Sequence, residues 1–316
     1  MSDVKELKEK LFIQRKNGLL RADDAEISAA HEYAKGYMKF LDTAKTEREA
    51  AAAAIALAEE KGFTAFDRSK KYKSGDKVYF NNRGKTVAFA VIGEETLENG
   101  VNITAAHIDS PRLDLKPNPL YEEIELALFK THYYGGIRKY QWTAVPLALH
   151  GVFAKKDGSV INVNIGEDEG DPCFVVNDLL PHLAQDQMSK KMSEGIEGEN
   201  LNILIGGAPV EAEDIKEKVK FSILKMLNAR YGITENSFIS AEIEVVPAQK
   251  AKNVGLDESF VGAYGHDDRV CAYTTLRGII DIEAPKRTAV AILVDGDVDL
   301  DEYTLLGFSP NATFIA

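Results

Sequence analysis

Residues 103–114 read ITAAHIDSPRLD: an apolar strand-like run enters a histidine directly, with an aspartate two residues on and a proline just beyond. Alternate side chains of an extended segment share a face, so His107 and Asp109 leave the same side of the chain. Two textures of sequence meet here. Upstream, helical and buried-strand patterns alternate. Beyond Pro111 the chain turns β-rich, and the first texture returns only near residue 250. The simplest account is an α/β unit interrupted by an inserted β-rich unit, with segments 1–111, 112–247 and 248–316. That arrangement lets polar groups distant in sequence meet at one sheet edge, where open α/β sheets place their sites.

Working upstream, residues 24–62 carry a helical pattern that breaks at 43–46. Thr46-Glu47-Arg48-Glu49 is a capping box for an alanine-rich second helix, and Gly62 closes that helix as a C′ residue. KVYFNNRGKTVAFAVIG reads as a hairpin about an Asn/Gly turn. TVAFAVIG and NITAAH are continuous apolar runs, the pattern of strands buried on both faces. Downstream, EEIELALF, VPLALHGVFAKKDGSVINVNI and SFISAEIEVVPA read as β-strands, with a hairpin at Asp157-Gly158. GHDDRVCAYTTLRGIIDI is a loop leading into an amphipathic helix, and RTAVAILVD is another buried strand.

Bulk composition narrows the function classes. The 316 residues are 45% hydrophobic and 28% charged, as in ordinary globular proteins, and exceed the usual size of one core. Thirty-eight basic against 50 acidic residues leave a net charge of −12, which argues against nucleic acid or an anionic membrane as partner. The basic stretch RSKKYKSGDK at 68–77 reads as a solvated loop. No run approaches the ~20 apolar residues of a membrane span. The charged N-terminus lacks a signal-peptide core, and the two cysteines form no CxxC pair, so the cytoplasm is the expected compartment.

Three strand ends carry polar groups: His107-Ile-Asp109, the loop His266-Asp267-Asp268-Arg269, and Asp295 after AVAILV. Imidazole and carboxylates converging from separate strands suit a zinc-type ion better than calcium, which takes oxygen ligands. A metal-ligating histidine commonly gives its other ring N–H to a carboxylate, and Asp109 stands one step along to receive it. Each piece alone is weak. His-x-Asp arises by chance, and Asp-Asp-Arg before a helix is also an ordinary capped start.

An ordered series of motifs adds to this reading. YMKFLDTAKTEREAAAAAIALAEEKGF, TAAHIDSPRLDLKP, HYYGGIRKYQW, LPHLA and GAYGHDDRVCAY together resemble the M18 metallo-aminopeptidases, the aspartyl aminopeptidase group of the zinc exopeptidases, over about residues 30–294. The resemblance implies a zinc-exopeptidase-like mixed sheet flanked by helices and interrupted by a β-rich dimerisation-type domain. It implies two zinc ions per site and water-activated hydrolysis of N-terminal residues, acidic ones in some members, by homo-oligomers. By motif, His107 would ligate one metal, Asp109 would orient it, and Asp267 would bridge both ions. His182, within the segment resembling the dimerisation domain, and His266, beside the bridging aspartate, are candidates for substrate or inter-subunit contacts.

The chain also departs from the pattern. Where the family continues into a Glu-Glu pair, general base and then ligand, this sequence reads VDGDVDLDEY, placing Asp297 and Val298 at those positions. Valine cannot bind metal, and nothing in the spacing supports Glu302 as a substitute. The expectation from this departure is that the family's C-terminal portion, with its remaining Asp and His ligands, is missing. An inactive or assembly-only chain of the same fold is then the alternative to an active peptidase.

Other motifs are discounted. An EF-hand loop from Asp295 would need glycine and glutamate where Leu300 and Leu306 stand. GEDEGD at 166–171 reads as a solvated acidic loop. ILIGGAPV and YYGGIRK are not phosphate loops, no G-x-S-x-G is present, and neither cysteine sits in a nucleophile motif. His31, His132 and His150 read as structural.

Overall fold

The computed structural model describes residues 2–296, apart from positions 14, 16, 156 and 212. Helices α1 (Ser2–Leu11), α2 (Asp24–Thr43) and α3 (Glu47–Glu59) lead into strands β1 (Thr64–Ala65), β2 (Lys77–Asn82), β3 (Thr86–Val91) and β4 (Asn102–His107). Then come β5 (Arg112–Glu123), β6 (Leu126–Tyr134), β7 (Leu147–Ala154), β8 (Val160–Ile165), α4 (Gln185–Ser189), β9 (Ile203–Gly206), α5 (Lys218–Tyr231) and β10 (Ala241–Pro247). A small ribbon of β11 (Lys252–Val254) and β12 (Phe260–Gly262), α6 (His266–Ile280) and β13 (Ala289–Val294) complete the described chain.

The strands form two main sheets. The first has the order β1-β2-β3-β13-β4, and the second β8-β7-β10-β5-β6-β9. The first is mixed: β13 runs parallel to β4 and antiparallel to β3. Pairing of Val294 with His107 sets the ends of β13 and β4 side by side, although the chain visits the whole second sheet between them. Each sheet has its own apolar core. Phe40, Leu41, Phe89, Ile108, Leu276 and Leu293 are among the residues that fill the first, with α3 and α6 packed on the sheet and α2 on those two helices. Leu113, Phe129, Leu147, Ile203, Phe238 and Val245 belong to the second.

Local chemistry accounts for the element ends. Thr46 and Glu49 form the reciprocal capping box that starts α3. At its far end the Gly62 N–H bonds Glu59 O and the Phe63 N–H bonds Ala58 O, with Gly62 at φ +84°, a Schellman closure. The β2–β3 hairpin turns on Arg83 and Gly84, both at positive φ.

Four sequence expectations need correction. EEIELALF is two strands, not one: β5 and β6 are joined by a tight turn at Ile124 and Glu125, with φ of +51° and +57°. The signal was hidden because neither residue type favours left-handed backbone. SFIS is not strand but a 3-10 turn over Glu235–Ser240 that precedes β10. NITAAH is not buried on both faces. Among the described residues β4 is an edge strand, and Asn102 through Ala105 are exposed. Nor is GEDEGD wholly solvated, since the Glu167 side chain is only 8% exposed and pairs with Lys45 and His150.

Candidate metal centre

β4 delivers His107 to the edge shared with β13, and the 265–269 loop arrives there from the other side of the second sheet. Gly265 adopts φ +89°, where a Cβ would stand 2.2 Å from the Arg269 guanidinium, so only glycine lets the chain turn in so closely. Asp267 and Asp268 depart from helical backbone at the head of α6, and the peptide between them is cis. Arg269 is fully buried and anchors the loop. Its Nε donates to Ile108 O at 3.1 Å and its Nη2 to Lys45 O at 3.0 Å. The Ser110 hydroxyl donates to Asp267 O at 2.7 Å, and the Tyr264 hydroxyl to Pro111 O at 3.0 Å. Both ends of the interrupting segment are thus fastened to each other beside the site.

His107 Nε2 lies 3.4 Å from Asp267 Oδ1 and 3.9 Å from Asp268 Oδ2. Ligand atoms of these three residues all fall within 4.8 Å of one another. On the other side of the ring, His107 Nδ1 faces Asp109 Oδ1 at 3.1 Å. Asp109 Oδ2 accepts from the Tyr134 hydroxyl at 2.8 Å, and Oδ1 also accepts the Gly296 N–H at 2.7 Å. With Nδ1 toward Asp109, Nε2 is the ring nitrogen turned to the two aspartates.

The electrostatics match this division. Burial alone would raise the Asp109 pKa, but the bonds from His107 and Tyr134 outweigh it and bring it down to about 2. Burial opposes the charged form of His107, yet Asp109 first, then Asp268 and Asp267, hold its pKa above the ordinary value. A cation at Nε2 would thus displace a proton that the same carboxylates favour. Burial raises the pKa of Asp268. The Cys271 thiol is pushed up to about 11 by burial and then by Asp268, which leaves it a poor nucleophile.

One imidazole nitrogen and two carboxylates are a donor set of zinc type, and three convergent protein ligands fit a zinc ion with coordination positions to spare. Of the residues singled out from sequence, His107, Asp109 and Asp267 come together here. His266 does not join them: its Nδ1 pairs with the Tyr37 hydroxyl at 2.9 Å and its Nε2 with Val261 O at 3.1 Å, so both ring nitrogens are occupied. His182 is exposed near α4 and is not part of the metal-ligand cluster. Asp295 turns to Lys85, 3.5 Å away, rather than to His107. Asp297, Val298 and Glu302 lie outside the described residues. Asp268, in the same polar loop as Asp267 but assigned no ligand role by the motif, joins His107 and Asp267. The Gly296 amide carried no sequence signal at all.

Fold and site together define an α/β protein whose candidate metal cluster lies where two strand ends meet a loop returning from a second sheet. Residues 40–297 match the family described as Aminopeptidase I zinc metalloprotease (M18). The chain belongs to that family. It is 48% identical over 289 residues to a probable M18 family aminopeptidase 1 of Clostridium acetobutylicum, covering 90% of this chain and 62% of that protein. The crystal structure of an M18 aminopeptidase from Thermotoga maritima superposes with a TM-score of 0.83 at 45% identity, covering 89% of this chain and 61% of that one. The S. cerevisiae mApe1 dodecamer, at 17% identity and a TM-score of 0.62 over 84% of this chain and 60% of that one, shares the fold alone. The chain spans about three-fifths of the length of the relatives it matches.

Proposed function

We propose that this chain acts as a zinc-dependent aminopeptidase, removing N-terminal residues from peptides by a two-metal, water-activated mechanism. The observation that carries the reading is the convergence of His107, Asp267 and Asp268 in front of an imidazole oriented by Asp109. Bound zinc supplies Lewis-acid polarisation of a scissile carbonyl and a water of lowered pKa. The chain's own part is to hold the site. His107 offers Nε2, Asp267 offers an exposed carboxylate suited to bridging, and Asp109 keeps the proton on Nδ1. Arg269 and Ser110 hold the aspartate loop at its distance from β4.

Residues 1–111 and 248–316 form the catalytic unit in this proposal, and residues 112–247 an inserted unit used for assembly. Homo-oligomerisation is supported by the family resemblance and by the dodecamer reported for the yeast relative. Preference for acidic N-terminal residues rests on the resemblance to the aspartyl aminopeptidase group. Two free cysteines agree with a cytoplasmic location, and among the described residues no helix is long and apolar enough to cross a membrane.

The test is zinc content, together with release of N-terminal Asp, Glu or Leu from short peptides by the purified chain. Stoichiometric zinc and release that are both lost in His107→Ala are expected, with Asp and Glu released faster than Leu. Zinc far below stoichiometric and no release from any peptide would defeat the proposal.

A further inference from the structure

The Gly-rich segment HYYGGIRKYQW supplies the phenol that meets the carboxylate behind the candidate metal-binding histidine. β6 ends at Tyr134, and antiparallel register sets Tyr134 opposite Arg112, just beyond Asp109 along the chain. Gly135 follows at φ +71°, where a Cβ would stand only 3.3 Å from Pro111, so the chain turns closely against the segment that bears Asp109. The Tyr134 hydroxyl donates to Asp109 Oδ2 at 2.8 Å, while Oδ1 faces His107 Nδ1 at 3.1 Å.

The two carboxylate oxygens therefore have separate partners. Oδ1 also accepts the Gly296 N–H at 2.7 Å, so the phenol is what ties the second oxygen and fixes the carboxylate plane about its Cβ–Cγ bond. The phenol is itself fixed. The Arg112 guanidinium stacks 4.0 Å from its ring centroid, and Arg112 is held by Asp114 at 2.9 Å and Glu244 at 3.2 Å. Glu47, at the head of α3, lies 3.6 Å from the same guanidinium.

We propose that Tyr134 is a positioning residue for the metal centre: its hydroxyl locks the Asp109 carboxylate, and that carboxylate, beside the Asp109 backbone O at 3.2 Å, keeps His107 in the Nδ1–H tautomer with Nε2 free for metal. The proposal rests on His107 being a metal ligand, and it makes a residue of the second sheet part of the site in the first. Partners behind a ligating histidine commonly carry 10–100-fold in metal affinity.

The test uses the full chain with ¹⁵N-labelled histidine, metal-free, at a pH where His107 is neutral. Wild type shows His107 as the Nδ1–H tautomer, Tyr134→Phe shows a mixture of tautomers, and the neighbouring Tyr133→Phe leaves the spectrum unchanged. Cobalt(II) affinity falls about 10-fold in Tyr134→Phe. In a double-mutant cycle with Asp109→Asn the two losses are not additive, because one residue acts through the other. Unchanged tautomer and affinity in Tyr134→Phe, or additive losses, overturn the proposal. If Tyr134→Phe does not fold, the wild type decides: a slowly exchanging Tyr134 hydroxyl proton supports the lock, and its absence refutes it. A wild type that binds no cobalt sinks the metallopeptidase reading, while the tautomer comparison still judges Tyr134.

Discussion

At the scale of single residues, Gly296 shows how little freedom surrounds the Asp109 carboxylate. Its N–H donates to Asp109 Oδ1 at 2.7 Å, and a Cβ built on it would stand 2.6 Å from the same oxygen. The backbone at 296 does not need glycine, since its φ lies outside the left-handed region. The constraint is contact with the carboxylate alone. Gly296→Ala is therefore expected to push Asp109 off His107 and weaken cobalt or zinc binding about 10-fold, as other losses behind a ligating histidine do. Competition titration against a chromophoric chelator measures this, and an affinity within about twofold of wild type would contradict it. Asp109, with a pKa of about 2, stays ionised across the accessible range, so protonation does not mask the effect. The legibility of this site follows from the same contacts. The pair His107 and Asp109 could be seen because strand periodicity puts them on one face. Tyr134 could not, because it depends on the β5–β6 hairpin, whose Ile-Glu turn carries no signal; the Gly296 amide could not, because β13 pairs with β4 from far along the chain.

At the scale of elements, the β5–β6 turn is the clearest conflict between sequence and backbone. Ile124, a β-branched residue, sits at φ +51° and is 88% exposed, and Glu125 follows at φ +57°. A two-residue turn with positive φ at both positions favours Asn-Gly, and the exposed isoleucine gains nothing from packing. Replacing Ile124-Glu125 by Asn-Gly should stabilise the second sheet by about 1 kcal/mol. A higher urea midpoint at unchanged slope would show it, and a lower midpoint would mean that Ile124 has a contact worth more than its strain. The same conflict explains why this hairpin was illegible while the β2–β3 hairpin, with NNRG at its tip, was not. Capping chemistry was equally legible, since Thr46 and Glu49 pair locally. The exposure of β4 was not, because an apolar run specifies a strand but not how many neighbours flank it.

At the scale of the molecule, two groups of buried charges reach from one sheet's layer to the other. One group centres on Arg112, whose partners Glu47 and Glu244 come from α3 and β10. Burial and the adjacent charge of Glu47 push Glu244 well up. Burial would do the same to Glu47, but Arg112 and Lys85 outweigh it and hold it down. The other group centres on His150 of β7, which is 1% exposed. Its Nδ1 meets Glu49 of α3 at 2.8 Å and its Nε2 meets Glu167 at 3.3 Å, while Lys45 stands 3.3 Å from Glu167. Burial opposes the imidazolium, but the carboxylates of Glu167 and Glu49 on its two ring nitrogens prevail and raise its pKa from 6.5 to about 9. A group whose folded pKa lies above its unfolded value stabilises the fold fully below the unfolded value and loses that contribution as pH rises through the folded one. The stabilisation should therefore be complete below about pH 6.5 and fade by about pH 9, a loss on the order of 3 kcal/mol. Urea midpoints of the wild type should fall across that window, and His150→Asn should flatten the fall while lowering the midpoint most at the acidic end. A wild-type midpoint that climbs with pH over the same range, or an undiminished slope in His150→Asn, would mean that the imidazole is neutral in the folded chain and that the sheets are joined by other contacts.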